Sequence, residues 1–221
     1  MKRIAKRSPE PPLLLQERKS GARRWTDVSG RAKEQVRRAL WEDQHGLCCY
    51  CMVKLEDAAF HETIAPRGVK IEHVIPQTDA HEGEALAVSW KNLVAACSGG
   101  HGQPFSEQTC DTHKGNQPFR ELDPVRSEPL VGFTPDGRIT SSSSQTRHDL
   151  GSEVLNLNVP RLRRWRQESY DALIAALERK FGSDRTWTRG QLDRYLSGLS
   201  LDTQFYGAHE FWLRQWIRVR T

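Results

Sequence analysis

The sequence predicts an α+β protein: a small, metal-tied core of short strands and loops, preceded by one helix and followed by a mostly helical region. Three observations lead there. VKIEHVIPQ (69–77) reads as a short strand. Cys48, Cys51, Cys97 and Cys110 are spaced as metal ligands rather than as disulfide partners. From residue 160 onward, apolar residues recur at helical spacing.

Taken in order, residues 1–28 carry PEPP and many charges and are expected to form an extended basic arm. RAKEQVRRALWEDQHG then predicts a helix from Gly30, with Val36, Leu40 and Trp41 on one side and Gly46 as its stop. LCCYC follows, and a polar connection runs through Gly68 to the 69–77 strand. EALAVSWKNLVAAC suggests one helical turn and then a short strand, SGGHGQPFSEQ is a glycine-rich loop, and CDTHKGNQ opens a helix. Pro135-Asp136-Gly137 marks a hairpin, and SSSSQ reads as a loop. Asn158 suits an N-cap and Pro160 an early first turn, ahead of Leu162, Trp165, Leu173, Ile174, Leu177 and Phe181. Thr188 and Gln191 form a capping-box pair. A last helix carries Phe211, Trp212, Leu213, Trp216 and Ile217. The expected segments are 1–28, 29–125 and 126–221.

Composition narrows the class. Among 221 residues the hydrophobic content is 37% and the mean hydropathy −0.69. No apolar run approaches the ~20 residues of a membrane helix, and the three leucines at 13–15 are too few for a signal-peptide core, so a cytoplasmic protein is expected. The net charge is +5, but residues 1–40 hold 12 of the 33 Lys and Arg against 4 of the 28 acids. Such an arm can neutralise phosphates; a solvated leader or a partner-binding arm is the alternative reading.

Five cysteines in a reducing compartment argue against disulfides. Cys48 and Cys51 have the Cys-x-x-Cys spacing that lets two thiolates take one zinc from a tight turn. With Cys97 and Cys110 they make a closed four-thiolate structural site, with Cys49 left over. The second pair is twelve residues apart, so His101 or His113 in place of one thiolate stays open. A redox Cys-x-x-Cys is the rival, but no βαβ pattern surrounds it. Zinc would tie the 30–45 helix to both ends of the glycine-rich loop and so clamp the 69–77 strand against CDTHKGN. A unit this small buries little apolar surface, which makes ordering by metal physically sensible.

The clamp gathers Glu72-His73, Asn92, and Asp111-Thr112-His113-Lys114. Cys-x-x-Cys, Glu-His-x-x-Pro, Asn-Leu-Val followed by a cysteine, then Cys-Asp-x-x-Lys-Gly resembles the zinc-bound HNH endonucleases, whose core is the ββα-metal fold. The N-terminal Ile-x-Lys with Pro-Glu-Pro, the long second cysteine loop, Lys-Gly-Asn and Leu-Asp-Pro make residues 1–160 similar to the PtuB-type HNH subunits of Septu and retron-associated anti-phage defence systems. The resemblance implies an HNH nuclease core over 29–125, an effector role in a hetero-oligomer with a PtuA-like ATPase subunit, and nucleic acid, DNA or RNA, as substrate. It makes Asn92 a loop-holding residue that helps orient the histidine. Asp111 departs from the superfamily's more usual His or Asn.

The residues carry this chemistry on their own terms. His73, with an ordinary pKa near ~6.5, can be neutral and act as the base for water. Glu72, on the other side of the strand, can hold a divalent cation with Asp111 as second carboxylate, and oxygen ligands favour Mg²⁺ or Mn²⁺. His113 can share that cation, and Lys114 is placed to meet a phosphate. The bland alternatives are a satisfied structural histidine, a turn asparagine, a helix-capping aspartate and a solvated lysine. Together they describe a zinc-stabilised module that binds nucleic acid or a partner without cutting.

Overall fold

The structure is a computed structural model and describes residues 1–55 and 69–220; the polar connection expected across 56–68 lies outside the described residues. The architecture mixes eight helices with two small sheets among those residues. No helix among them is long and apolar enough to cross a membrane.

Residues 1–28 depart from the expected extended arm. They contain helix α1 (Pro12–Lys19), whose Leu14 is fully buried. The arm's basic residues are also engaged: Lys2 pairs with Glu128 and Glu210, and Arg7 with Glu42 and Asp43. Lys6 donates to the Leu93 carbonyl at 2.7 Å and lies over the Trp90 ring. Enough apolar residues (Met1, Ile4, Leu14, Val28) alternate with the charges to anchor the segment, and local charge density does not report that anchoring.

Helix α2 (Gly30–Asp43) starts where the sequence places it. Ser29 caps it by accepting from the Ala32 amide at 3.2 Å, and Ala32, Val36, Ala39 and Leu40 form its buried face. Strands β1 (Lys70–His73) and β2 (Leu93–Ala96) pair antiparallel, with Glu72 opposite Val94 and His73 opposite Leu93. The short helix α3 (Gly83–Leu86) lies between them in sequence. Helix α4 (Cys110–Lys114) follows the glycine-rich loop. An isolated two-stranded ribbon is marginal by itself; here α2, α4 and the cysteine turn cover it.

The hairpin forms around Pro135–Gly137 as β3 (Gly132–Phe133) and β4 (Ile139–Thr140). Two details differ from the sequence reading. SSSSQ is not all loop: Ser143 caps helix α5 (Ser144–Leu150), because its hydroxyl offers the first turn the acceptor it lacks. Asn158 is not the N-cap of helix α6 (Pro160–Phe181). Val159 holds that position, and the Asn158 amide instead bonds Ile139 through both its oxygen (3.0 Å) and its nitrogen (2.9 Å). Helices α7 (Arg189–Ser197), with its Thr188–Gln191 capping box, and α8 (Tyr206–Val219) complete the tail. Leu173, Ile174, Leu177, Leu192, Trp212 and Leu213 are its buried core.

Candidate functional site

The sulfur cluster is built first. After α2 the chain turns so that the Cys48 amide meets the Val53 carbonyl at 2.9 Å and the Met52 amide meets the Cys48 carbonyl at 3.0 Å. That tight turn puts Cys48 and Cys51 side by side. β2 delivers Cys97, and the start of α4 delivers Cys110. The four Sγ atoms lie within 4.8 Å of one another, with Cys48–Cys110 at 3.9 Å and Cys51–Cys97 at 3.7 Å. A tetrahedron with Zn–S bonds of ~2.3 Å has S–S edges of about 3.8 Å, so the donors fit a structural zinc. Neither His101 nor His113 belongs to the set. Cys49 is buried apart from it, its amide donating to the Ala95 carbonyl at 3.0 Å.

The Cys110 thiol at the head of α4 sets that helix across β1, and a polar cluster results. Lys114 Nζ lies 2.8 Å from Glu72 Oε1 and donates to the His73 carbonyl at 3.3 Å. Tyr50, inside the cysteine turn, donates its hydroxyl to Glu72 Oε1 at 3.1 Å. Lys70 reaches Asp111 Oδ2 at 3.1 Å and Thr112 Oγ1 at 2.7 Å. Burial pushes the Glu72 carboxyl up to about 8; the hydrogen-bonded Asp111 carboxyl adds to the shift and Lys114 opposes it. Glu72 and Asp111 are thus neighbouring carboxyls, each paired with a lysine.

His73 occupies the other face. Its Nε2 lies 2.9 Å from the Ala87 carbonyl. A carbonyl can only accept, so Nε2 carries the hydrogen and Nδ1 keeps its lone pair. The Trp25 indole meets the imidazole edge-on, with centroids 5.4 Å apart. Burial lowers the His73 pKa below its ordinary value, which keeps the ring neutral at pH 7. Asn92 braces the chain leaving β1. Its Oδ1 accepts from the Ile75 amide at 2.8 Å, and its Nδ2 donates to the carbonyls of Ile75 at 3.0 Å and Leu86 at 3.3 Å.

The pair on β1 is enclosed, and two expectations, on Lys114 and His113, need correcting. Neither residue of the Glu72–His73 pair faces solvent, since they are 5% and 6% exposed; α4 covers one face and the Trp25 turn the other. Lys114 is 1% exposed and spent on Glu72, so its ammonium serves the carboxyl pair rather than an approaching phosphate. His113 is turned away from that pair. Its Nδ1 meets the Phe105 carbonyl at 3.1 Å, its Nε2 the Ser152 carbonyl at 2.8 Å, and its ring stacks on Phe105. It is two residues beyond Asp111 on a single helical turn, and therefore cannot share Asp111's direction.

The sequence reading missed Tyr50, Lys70, Trp25 and Arg166. Lys70 was detectable, because it shares a strand face with Glu72 two residues on. The other three reach the site from distant segments and carry no local signal. Arg166, buried on α6, donates to the Gly137 carbonyl at 2.6 Å and the Leu157 carbonyl at 2.7 Å; burial lowers its pKa, and the nearby Cys51 and Cys110 oppose that shift.

No family model matches this sequence, and no curated protein matches it.

Proposed function

We propose that the chain is a metal-dependent endonuclease of the HNH type, its ββα-metal core formed by β1, β2 and α4. One observation carries this reading. A neutral imidazole with a fixed tautomer and a pair of carboxyls in contact sit on opposite faces of one strand end. Glu72 and Asp111 would hold a divalent cation, which when bound supplies positive charge against the scissile phosphate and the leaving oxygen. His73, oriented by the Ala87 carbonyl and Trp25, takes the proton from the attacking water on Nδ1. Asn92 keeps the chain after β1 in place. The sulfur cluster, with zinc as its metal, holds β2 and α4 around the strand.

Incubating plasmid DNA or RNA with the protein and Mg²⁺ or Mn²⁺ tests it. His73→Ala should lower cleavage by roughly 10²–10⁴-fold; nicking that this substitution leaves intact would exclude His73 as the base. Within the same reading the chain is the effector of an anti-phage defence complex with an ATPase subunit. Co-purification from its native operon tests that part.

A second reading has its own observation. Glu72 is occupied by Lys114, and His73 is enclosed, the arrangement expected of a zinc-stabilised module that binds without cutting. Absence of cleavage with the partner protein and Mn²⁺ both present would favour it.

A further inference from the structure

On the far side of the sulfur cluster a groove of about 560 Å³ runs between the glycine-rich loop and α6, within the ~300–1,000 Å³ range of ligand sites. Arg161 and Trp165, one turn apart on α6, lie along one wall. Gly99 and Gly100 form the other wall, and Lys54 lines it as well.

The loop backbone is shaped for the arginine. Gly99 has φ +57°, and a Cβ there would come within 2.1 Å of the Thr109 carbonyl. Gly100 has φ +78°, and its Cβ would lie 2.8 Å from both terminal nitrogens of Arg161. At both positions the positive φ favours glycine, and at Gly100 the missing side chain leaves room for the guanidinium. Arg161 donates to Thr109 Oγ1 at 3.2 Å and has no carboxylate partner among the described residues, so most of its five donors remain for a ligand. Lys54 meets Asp202 only at 3.9 Å, with both side chains exposed, a weak pair that releases readily. Trp165 is 37% exposed, an unusual placement for an indole. Glu107 is the acid that also lines the groove.

We propose that this groove binds a single-stranded nucleic acid, with its phosphodiester backbone on Arg161 and Lys54 and a base stacked on Trp165. A guanidinium and an ammonium beside an exposed aromatic face form the combination that takes unpaired strands, because each base offers a π-face once it has left a duplex. Thr109, two residues before Asp111 in sequence, is among the residues that line the groove. The inference deepens the nuclease reading by naming the substrate class, and rests on that reading only for the cutting step.

The test is equilibrium binding to the zinc-loaded full chain without added Mg²⁺ or Mn²⁺, read by fluorescence anisotropy. The probes are labelled oligothymidine, oligouridine and a blunt DNA duplex. Both single strands should bind more tightly than the duplex, and Trp165→Ala should weaken them about tenfold while Trp165→Phe retains most of the affinity. Arg161→Gln should weaken them similarly and reduce the salt slope by about one. Zinc content and melting temperature identify variants that still fold. The inference is overturned if folded Trp165→Ala binds like wild type, if phenylalanine is no better than alanine, or if the duplex binds as tightly as either strand. His73→Ala separates the two readings. It should bind like wild type and cut nothing, so binding that depends on Trp165 in a protein that never cuts sustains the groove and removes the nuclease.

Discussion

The two halves of this chain are held together by different chemistry. Between Cys48 and Lys114 the interior contains Glu72, His73, Asn92, Thr109, His113 and Lys114, each satisfied by hydrogen bonds or charge. In the tail, Leu173, Ile174, Leu177, Leu192 and Leu213 are buried around aromatic contacts such as Tyr170 on Trp212 at 4.9 Å and Trp187 near Trp216 at 6.2 Å. The first half has two four-residue strands and two helices of four and five residues, too little apolar area to pin buried polar groups. A metal held by the four clustered cysteines would do that work. The tail buries polar groups too, among them Asp149, Arg166, His209 and Glu210, but there an apolar core of amphipathic helices surrounds them. The buried Glu72, His73 and Lys114 therefore gather beside the four clustered cysteines, a set that could hold a metal.

Removing the metal is the sharpest way to break the comparison. Elemental analysis should find one zinc per chain. Chelation or Cys48→Ser should unfold the β1–β2–α4 unit, since zinc in small structural sites contributes ~10–16 kcal/mol. Amide exchange should show loss of protection there while α6 to α8 keep theirs. Uniform loss in both halves would make the division false.

Arg166 is where the halves meet, so Arg166→Met should disturb both. It strands two buried carbonyls and removes a buried cation that interacts with Cys51 and Cys110, at a cost of about 3–5 kcal/mol. Faster zinc release to a chromophoric chelator would show that α6 stabilises the sulfur site; unchanged release would confine Arg166 to the tail.

One effect of pH has its source in the tail. His209 on α8 is held down to about 4, because burial disfavours its charge, with the Ser169 hydroxyl 2.6 Å from Nε2. Its folded pKa lies below the ordinary 6.5, so the unfolded chain takes up a proton that the folded one refuses. Stability is therefore full above pH 6.5 and falls as pH drops toward 4, by up to about 3 kcal/mol. His209→Gln should flatten the melting temperature across that window; an unchanged slope would remove His209 as its cause.

The smallest effect tests local capping. Thr188→Ala removes the hydroxyl that accepts from the Gln191 amide at 3.3 Å and should cost about 1 kcal/mol in the tail, with zinc content unaltered.

Several features were legible without coordinates because they are local. Ser29 ahead of α2, Thr188 and Gln191 around α7, the Pro135–Gly137 turn, and the helical turn followed by a strand over 83–96 all depend on contacts within a few residues. Cys48 and Cys51 announce a chelating turn by spacing alone, and the convergence of Cys97 and Cys110 on it was readable from the same chemistry. Lys114 and His113 were not. Both belong to one short helix, and which faces the carboxyls depends on how Cys110 anchors that helix over β1. The basic stretch 1–28 was misjudged for a related reason: its partners Glu42, Asp43, Glu128 and Glu210 are distant in sequence.

By itself, then, the sequence determined the mixed helix-and-strand class, the four thiols and the strand that carries Glu72 and His73, since periodicity, caps and ligand spacing act over a few residues. Only the tertiary structure decided that Lys114 neutralises Glu72, that Ala87 and Trp25 orient His73, and that Arg161 and Trp165 flank a groove beside the sulfur cluster. Those outcomes depend on direction and burial, which arise when segments far apart along the chain are brought into contact.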